Sequence, residues 1–232
     1  MSVGSSPGLT DRSFRFLADL DANNDATWFN ANKALFQETL QEPFARLLDE
    51  LSTRLADSEV PLKGSRTTMF RMNRDVRFSA DKSPYKTAVS GLLTPSGTKA
   101  EDAGLVYLHL GADGGFVAAG LHSPTPKRLG PVRDRILDAL EEFDAVVQHL
   151  NDAHLDLDLD TGGSLKTMPR GYAEHSQHRL AWALRLSALI TQQRLPKSAW
   201  TNGDIVDRVE RVTLAAGPLL AFVRPTAPPT PT

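Results

Sequence analysis

The chain has 232 residues, of which 41% are hydrophobic, and this is enough to bury a core of its own. Its formal charge is -2, whereas proteins that coat nucleic acid or anionic membranes by bulk electrostatics carry a strong positive excess, so any anion binding must be local. The sequence contains no cysteine, which excludes disulfides, thiolate metal sites and a thiol nucleophile.

Helical patterns occupy the first quarter of the chain. Thr10 or Ser13 is predicted to cap a first helix, and Asn23-Asn24-Asp25 is predicted to end that helix and to cap the next one. Beyond Ala26 the apolar residues keep a helical period, and Pro43 is expected to kink or restart the helix. The apolar stripe of this region comprises Trp28, Leu35, Phe36, Leu40, Phe44, Leu47, Leu48, Leu51 and Leu55.

Short runs bounded by Gly, Pro or Ser follow, and they predict strands at residues 67–72, 87–94 and 104–110. The clearest signal is a hairpin over residues 105–121, because Ala112-Asp113-Gly114-Gly115 tolerates the positive φ of a tight turn. The alternation of Leu and Asp over residues 155–160 predicts an extended edge with a solvated acidic face.

Helical periodicity returns after Pro124, with an expected break at Gly130-Pro131 and further helical stretches at residues 182–190 and 203–214. This order predicts an α+β fold, with a mainly antiparallel sheet of about four or more strands packed with N-terminal and C-terminal helices. We expect flexible residues 1–8, one globular domain over residues 9–223, and a disordered Pro/Thr tail at residues 224–232. Neither a signal peptide nor a membrane span is predicted, so a cytoplasmic location without a membrane partner is expected.

Positive charge is concentrated between Lys63 and Lys86, where seven basic and two acidic residues give +5, so the rest of the chain carries -7. Guanidinium forks and nearby hydroxyls suit phosphate recognition, which makes this segment a candidate anion site. The candidate ligand contacts are Arg71, Arg74, Arg77, Lys82, Tyr85 and Lys86. If hydrolytic chemistry accompanies binding, the candidates for orienting or acid-base roles are Asp75, Asp81 and His175.

Two interpretations of this segment remain open. In one, it binds a small phosphate-bearing or otherwise anionic ligand. In the other, the chain is a non-catalytic interaction domain whose basic segment is a structural ion-pair network or docks an acidic partner, with nucleic acid not favoured. The sequence identifies no cofactor, contains neither a Walker A motif nor a dinucleotide fingerprint, and leaves both the oligomeric state and the question of enzymatic activity open.

A third hypothesis is metal-assisted hydrolysis with the histidines and aspartates of residues 152–160. The spacing Asp156-x-Asp158-x-Asp160 invites a calcium site, but Thr161 and Thr167 stand where an EF-hand needs glycine and glutamate. The sequence therefore favours the extended edge over a metal site.

A long and specific string lies inside the basic segment: Arg71-x-x-Arg74-Asp75-x-Arg77-Phe78-Ser79-x-Asp81-Lys82-x-Pro84-Tyr85-Lys86. Together with Asn23-Asn24, Trp28-Phe29 and Asn32-Lys33, it makes the chain resemble the conserved-hypothetical family called domain of unknown function 2461. The resemblance covers most of the chain and extends to the hairpin with Phe116 and Gly120, to Pro124, Pro126 and Arg133, and to Pro169-x-Gly171-Tyr172 before His175. It implies no reaction, substrate or cofactor, so it marks the segment without assigning an activity.

Overall fold

The structure is a computed structural model that describes residues 8–100, 104–122, 124–159 and 163–224. Its N-terminal part is helical, and the elements there are α1 (Asp11–Ala22), α2 (Ala26–Ala31), α3 (Lys33–Phe36), a π-helical turn (Gln37–Gln41) and α4 (Glu42–Leu55). The predicted tails fall mainly on residues 1–7 and 225–232, which lie outside the described residues.

The caps of the first two helices form as predicted. The Thr10 side chain accepts a hydrogen bond from the backbone N–H of Arg12 at 3.3 Å and begins α1. Asn23 ends α1, and the Asp25 side chain accepts a hydrogen bond from the N–H of Trp28 at 2.9 Å to begin α2. Short polar side chains thus set the corner between the two helices.

The predicted irregularity at Pro43 appears as the π-helical turn that precedes it. Because proline has no N–H, it leaves the carbonyl of Thr39 without its ordinary helical partner. The Ser13 hydroxyl of α1 donates a hydrogen bond of 2.6 Å to that carbonyl, and both residues are buried. The polar group released by the proline is therefore satisfied by a neighbouring helix.

The four strands form one antiparallel sheet in the order β1-β2-β3-β4, which confirms the α+β prediction. The strands are β1 (Ala88–Leu93), β2 (Leu105–Gly111), β3 (Gly114–Leu121) and β4 (Leu189–Pro196). In the register of the first pair, Ser90 lies opposite His109 and Gly91 lies opposite Leu108. A side chain at Gly91 would stand 2.8 Å from Leu48 of α4, so this face of the first two strands is packed on that helix.

The strand predicted at residues 67–72 is wrong. Arg66–Thr68 forms a turn of 3₁₀ helix, because Ser65 and Thr68 bond each other's backbone in a capping box. Beyond it the chain is extended without forming a strand of its own: Met69 makes an isolated bridge to Gly91, with a hydrogen bond of 2.9 Å from the N–H of Phe70 to the carbonyl of Ser90.

The fourth strand comes from a region predicted to be helical. The helix expected over residues 182–190 stops at Leu184, and Leu189 begins β4. The first three residues of β4 are all buried, so the alternation that marks a half-exposed strand is missing there. Leu157 makes an isolated bridge to Thr191, which places the described part of the predicted acidic edge, up to Leu159, next to this strand.

Helices make up most of the remaining chain: α5 (Pro126–Asp138), α6 (Leu140–Asp152), a 3₁₀ turn (Ala173–Gln177), α7 (Ala181–Leu184), α8 (Lys197–Thr201), α9 (Ile205–Ala215) and α10 (Gly217–Phe222). The break expected at Gly130-Pro131 is wrong, because α5 continues through Pro131 and ends at Asp138. One missing N–H in the second turn removes a single hydrogen bond, and the helix tolerates it.

The described residues fall into two compact units. The first consists of the chain up to Ala100 together with Val106–Val117 and Gln193–Leu214, and the second holds the other described residues. The prediction of one globular domain stays a prediction. Among the described residues, no helix is both long enough and apolar enough to cross a bilayer.

Candidate functional site

The basic loop, Arg71–Lys86, belongs to the first unit and is closed at its base by backbone contacts. The N–H of Lys86 donates to the carbonyl of Met72 at 2.8 Å, and the N–H of Arg74 donates to the carbonyl of Pro84 at 2.9 Å. Between them, Asn73 and Tyr85 form an isolated antiparallel bridge. The two ends of the loop thus lie side by side and are joined by backbone hydrogen bonds.

Asn24 ties the closing end of the loop to the corner between α1 and α2. Its side-chain amide accepts a hydrogen bond from the N–H of Tyr85 and donates one to the carbonyl of Tyr85, each at 3.0 Å. The Tyr85 ring is buried and stacks on Phe29 with centroids 4.1 Å apart. Tyr85, predicted as a ligand contact, therefore has its ring in the packed interior of this unit.

Two arginines of the loop are neutralised inside it. Arg77 donates from Nε to Asp75 Oδ1 at 2.9 Å and from Nη2 to Asp75 Oδ2 at 2.6 Å. Arg74 pairs with Asp81 across the loop. Lys82 donates from Nζ to the carbonyl of Val76 at 3.0 Å. Three of the predicted anion contacts, Arg74, Arg77 and Lys82, thus brace the loop from within.

The same contacts act on the two carboxylates that were predicted as acid-base candidates. The Arg77 guanidinium lowers the pKa of Asp75. Hydrogen bonds from Ser83, together with the Arg74 guanidinium, hold the pKa of Asp81 well below its ordinary value. A carboxylate with a depressed pKa is a weak base near neutral pH, so these contacts suit bracing better than proton transfer.

Phe78 stands at the tip of the braced loop and is 96% exposed. The Arg77 guanidinium lies 5.9 Å from the centroid of its ring. Holding an aromatic ring in water forgoes the free energy that burial would provide. Because the bonds of Arg77, Asp75 and Lys82 fix the backbone below it, the loop presents this ring to solvent.

Arg71 and Lys86 differ from the other basic residues of the loop. Within the described residues, neither makes an ion pair or any side-chain hydrogen bond, whereas Lys82 bonds a backbone carbonyl. Lys86 lies with Nζ 5.3 Å above the ring of Phe70. Burial lowers the pKa of Lys86, and the positive charge of Arg71 lowers it further. Asp75 attracts Arg71 electrostatically, but within the described residues no carboxylate forms an ion pair with Arg71 or Lys86.

An aromatic surface adjoins these cations on the sheet face opposite α4. Tyr107 and His109 alternate along β2 with buried leucines and are each half-buried. His109 stacks on Phe116 of β3 with centroids 4.8 Å apart and ring planes 15° apart. The Tyr107 hydroxyl lies 3.3 Å from His109 Nδ1. The sequence shows that Tyr107 and His109 alternate with buried leucines. It does not show that these two rings lie near the basic loop, because only the folded sheet brings them there.

The pKa of His109 is shifted by the groups around it. Burial lowers its pKa, and the positive charge of Lys86 lowers it further. The imidazole is therefore neutral at pH 7, so the ring stacks on Phe116 without a charge of its own. The shift also places His109 within electrostatic reach of Lys86, 23 positions earlier in the chain.

The depressed pKa of His109 predicts a loss of stability in acid. The unfolded chain takes up the proton near the ordinary pKa of 6.5, before the folded protein does, so the free energy of unfolding falls as pH drops below about 6.5. His109→Gln is expected to remove part of this dependence, as measured by urea unfolding at pH 7.5 and pH 5. His149→Gln, at an exposed helical position, is the control and should keep the full dependence. An unchanged slope in His109→Gln would contradict the assignment.

His175, the third acid-base candidate, belongs to the second unit. It lies in the 3₁₀ turn with Nε2 3.6 Å from a carboxylate oxygen of Glu174 and its ring centroid 6.1 Å from that of His178. Beside it, Tyr172 donates its hydroxyl to Asp134 at 2.5 Å, and burial, with that bond, raises the pKa of Tyr172 to about 12. The Tyr172 hydroxyl thus connects the start of this turn to α5.

The second unit also contains a cavity of about 460 Å³, whose lining does not include the basic loop. Its walls come from α5, the end of β3 and the chain after α10. Arg135, on this wall, already donates to the carbonyl of Phe222 at 2.8 Å and to Glu142 at 2.6 Å. The lining residues are Leu121, Lys127, Arg128, Pro131, Val132, Asp134, Arg135, Asp138, Phe222, Val223 and Arg224.

The acidic segment after α6 shows no grouping for a metal in the part that the structure describes, where no three His, Asp or Glu side chains converge. Asp160, the last aspartate of the predicted calcium spacing, lies outside the described residues. His154 has φ of +56°, the left-handed conformation found just past the end of a helix. Its position is explained by the termination of α6.

No curated protein matches the chain. A family model described as "Conserved hypothetical protein (DUF2461)" matches residues 12–222, a span that includes the corner at Asn24, the basic loop and the sheet. The chain therefore belongs to this family of conserved hypothetical proteins, DUF2461.

Proposed function

We propose that the chain binds a phosphate-bearing or otherwise anionic ligand beside its basic loop, with Arg71 and Lys86 as the charged contacts. The observation that carries the proposal is the contrast between these two residues and the rest of the loop. Arg74 and Arg77 are satisfied by Asp81 and Asp75, whereas the described residues offer Arg71 and Lys86 no carboxylate partner.

The electrostatics support a ligand at this position. The pKa of Lys86 is lowered by burial and by Arg71, and the pKa of His109 is lowered by burial and by Lys86. The charge of Arg71 therefore disfavours the protonated form of Lys86, and the charge of Lys86 disfavours the protonated form of His109. A bound dianion reverses these effects, because it interacts favourably with all the positive charges at once.

The braced part of the loop has a complementary role. Asp75 and Asp81 form their ion pairs with Arg77 and Arg74, so the attraction of Asp75 for Arg71 acts without an ion pair between them. Lys86 lies beside the aromatic surface, and within the described residues the exposed Arg71 side chain has no hydrogen bond or ion pair that a ligand would have to break. This division narrows the six predicted ligand contacts to two that bind and others that support.

The test is thermal unfolding with inorganic phosphate or pyrophosphate at constant ionic strength, with potassium chloride as the salt control. We expect a saturable rise in the midpoint of about 2–4 °C in the wild-type protein. Arg71→Gln and Lys86→Met are each expected to reduce that rise by more than half. A wild-type midpoint that rises no further with phosphate than with chloride would contradict the proposal.

The control for this experiment is the double variant Asp75→Asn/Arg77→Gln. It removes one internal ion pair without changing the net charge, and so it avoids releasing a carboxylate next to Arg71. We expect the midpoint of this variant to rise with phosphate as it does in the wild-type protein, because Arg71 and Lys86 are unchanged. The loss of an exposed ion pair itself costs little stability. A loss of the response in this variant as well would show that the whole loop, and not the pair of free cations, binds the anion.

A second candidate function is favoured by Phe78. An exposed aromatic ring on a positively charged loop suits docking on the surface of an acidic partner protein. The two functions separate by mutation, because Phe78→Ser should weaken docking and leave the phosphate response unchanged.

A further inference from the structure

Four half-buried rings form one surface in the first unit, which we call the aromatic platform: Phe70, Tyr107, His109 and Phe116. Besides the stacked pair of His109 and Phe116, Tyr107 lies 5.8 Å from Phe116 and Phe70 lies 6.1 Å from Tyr107, measured between ring centroids. The rings come from the segment before the basic loop, from β2 and from β3. Each ring keeps part of its surface in contact with solvent.

From this arrangement we infer that the anionic ligand also carries a planar aromatic ring, as a nucleoside phosphate does, and that this ring stacks on the platform. The inference rests on the proposed function, since it assigns a chemical class to the same ligand. His109 and Phe116 stack on each other with ring planes 15° apart, so an outer face of this pair is the flat area that a further ring would use. A nucleobase stacks on such an area through its π-face, whatever its hydrogen-bonding edge.

The position of Lys86 joins the two halves of the site. Its ammonium lies 5.3 Å above the Phe70 ring, and its charge lowers the pKa of His109, so it stands at the edge of the platform. A phosphate at Lys86 and Arg71 therefore places the rest of the ligand near the rings. Inorganic phosphate uses the cations alone and a nucleoside uses the rings alone, whereas a nucleoside phosphate engages both.

The charges favour a single nucleotide over a nucleic-acid strand. Proteins that follow a nucleic-acid backbone present a groove of cations to successive phosphates. In the basic loop, Arg74 and Arg77 are already paired and Lys82 bonds the carbonyl of Val76, which leaves Arg71 and Lys86 for one phosphate group. The formal charge of the chain, -2, provides no general attraction for a polyanion.

The test compares the affinities of three probes by isothermal titration calorimetry: adenosine monophosphate, ribose 5-phosphate and adenosine. We expect the nucleotide to bind at least about tenfold more tightly than ribose 5-phosphate, because stacking of the base adds to the phosphate contacts. Phe116→Leu should reduce this ratio below about threefold and leave the affinity for ribose 5-phosphate unchanged. Lys86→Met should weaken both phosphorylated probes.

A measurement on the unmodified protein keeps the test valid if Phe116→Leu fails to fold. The His109 ring protons, followed by NMR, should shift upfield with adenosine monophosphate and not with ribose 5-phosphate, because a base stacked on the platform shields them. Equal affinity for these two probes, without that shift, would overturn the aromatic part of the inference and leave the anion site standing. Failure of every phosphorylated probe to bind would remove both proposals. A single-stranded oligonucleotide that binds over a hundredfold more tightly, with a steep loss in salt, would assign the platform to nucleic acid and overturn the inference.

Discussion

Replacing Gly115 with alanine is expected to lower the midpoint of thermal unfolding by about 6–12 °C. A Cβ atom at this position would stand 2.0 Å from the carbonyl oxygen of His109 and 2.7 Å from the Trp200 ring. Backbone of a neighbouring strand cannot rotate away as the end of a side chain can, so the hairpin itself must shift. We expect a cost of about 3 kcal/mol or more.

Gly111→Ala is the matched control, because it adds the same methyl group to the same hairpin. Its Cβ would meet nothing closer than the carbonyl oxygen of Gly114 at 3.7 Å, an ordinary van der Waals contact. We expect its midpoint to stay within about 2 °C of the wild-type value. Equal losses in Gly111→Ala and Gly115→Ala would show that strand flexibility, and not the close approach to His109, requires glycine.

Asn24→Ala is expected to lower the midpoint by about 4–8 °C and to weaken phosphate binding at the same time. The substitution removes both hydrogen bonds to the backbone of Tyr85, and each unsatisfied group costs about 1–3 kcal/mol where water has little access. The closing end of the loop, including Lys86, then loses its attachment to the corner of α1 and α2. Hydrogen exchange should detect this as faster exchange of the Tyr85 and Lys86 amides.

Asn23→Ala provides the comparison for this variant. The exposed side chain of Asn23 donates one hydrogen bond, at 2.8 Å, to the carbonyl of Asp19, which also accepts from the N–H of Asn23. Its loss leaves that carbonyl satisfied, so we expect a change in midpoint below about 2 °C. Normal amide exchange at Tyr85 and Lys86 in Asn24→Ala would contradict the anchoring role of Asn24.

The sequence was sufficient for those parts of the fold that local chemistry decides. Thr10 and Asp25 begin helices because their side chains bond N–H groups two or three residues away. The hairpin was recognisable because its turn contains residues that accept positive φ, and Gly114 has φ of +122°. In each case the cause and the effect lie within a few residues of each other.

The errors arose where distant partners decide. β4 was missed because burial of its first three residues, Leu189, Ile190 and Thr191, hides the alternation of a strand. The segment at residues 67–72 has the composition of a strand, but the capping box of Ser65 and Thr68 turns its beginning into 3₁₀ helix. The pattern of apolar residues within each segment does not show which secondary structure it forms.

The candidate site divides in the same way. The basic loop was visible as a cluster of charge, and its arginines identified it as an anion site or an ion-pair network. Which arginines are paired depends on loop closure, since Arg74 reaches Asp81 only because the two ends of the loop meet. The proximity of His109 to Lys86 was beyond prediction, because only the fold brings these two residues together.

The hydrogen bond from Ser13 to the carbonyl of Thr39 prevents α1 from sliding along the helix that it packs against. If α1 slid by one turn along its neighbour, it would leave a buried hydroxyl and a buried carbonyl without partners. The bond therefore fixes the axial position of α1, whose last residue, Ala22, lies about 14 Å further along the helix axis. Asn24 lies two residues beyond α1 and bonds the backbone of Tyr85. The contact that Pro43 and Ser13 create between the N-terminal helices therefore also sets the position of the closing end of the basic loop.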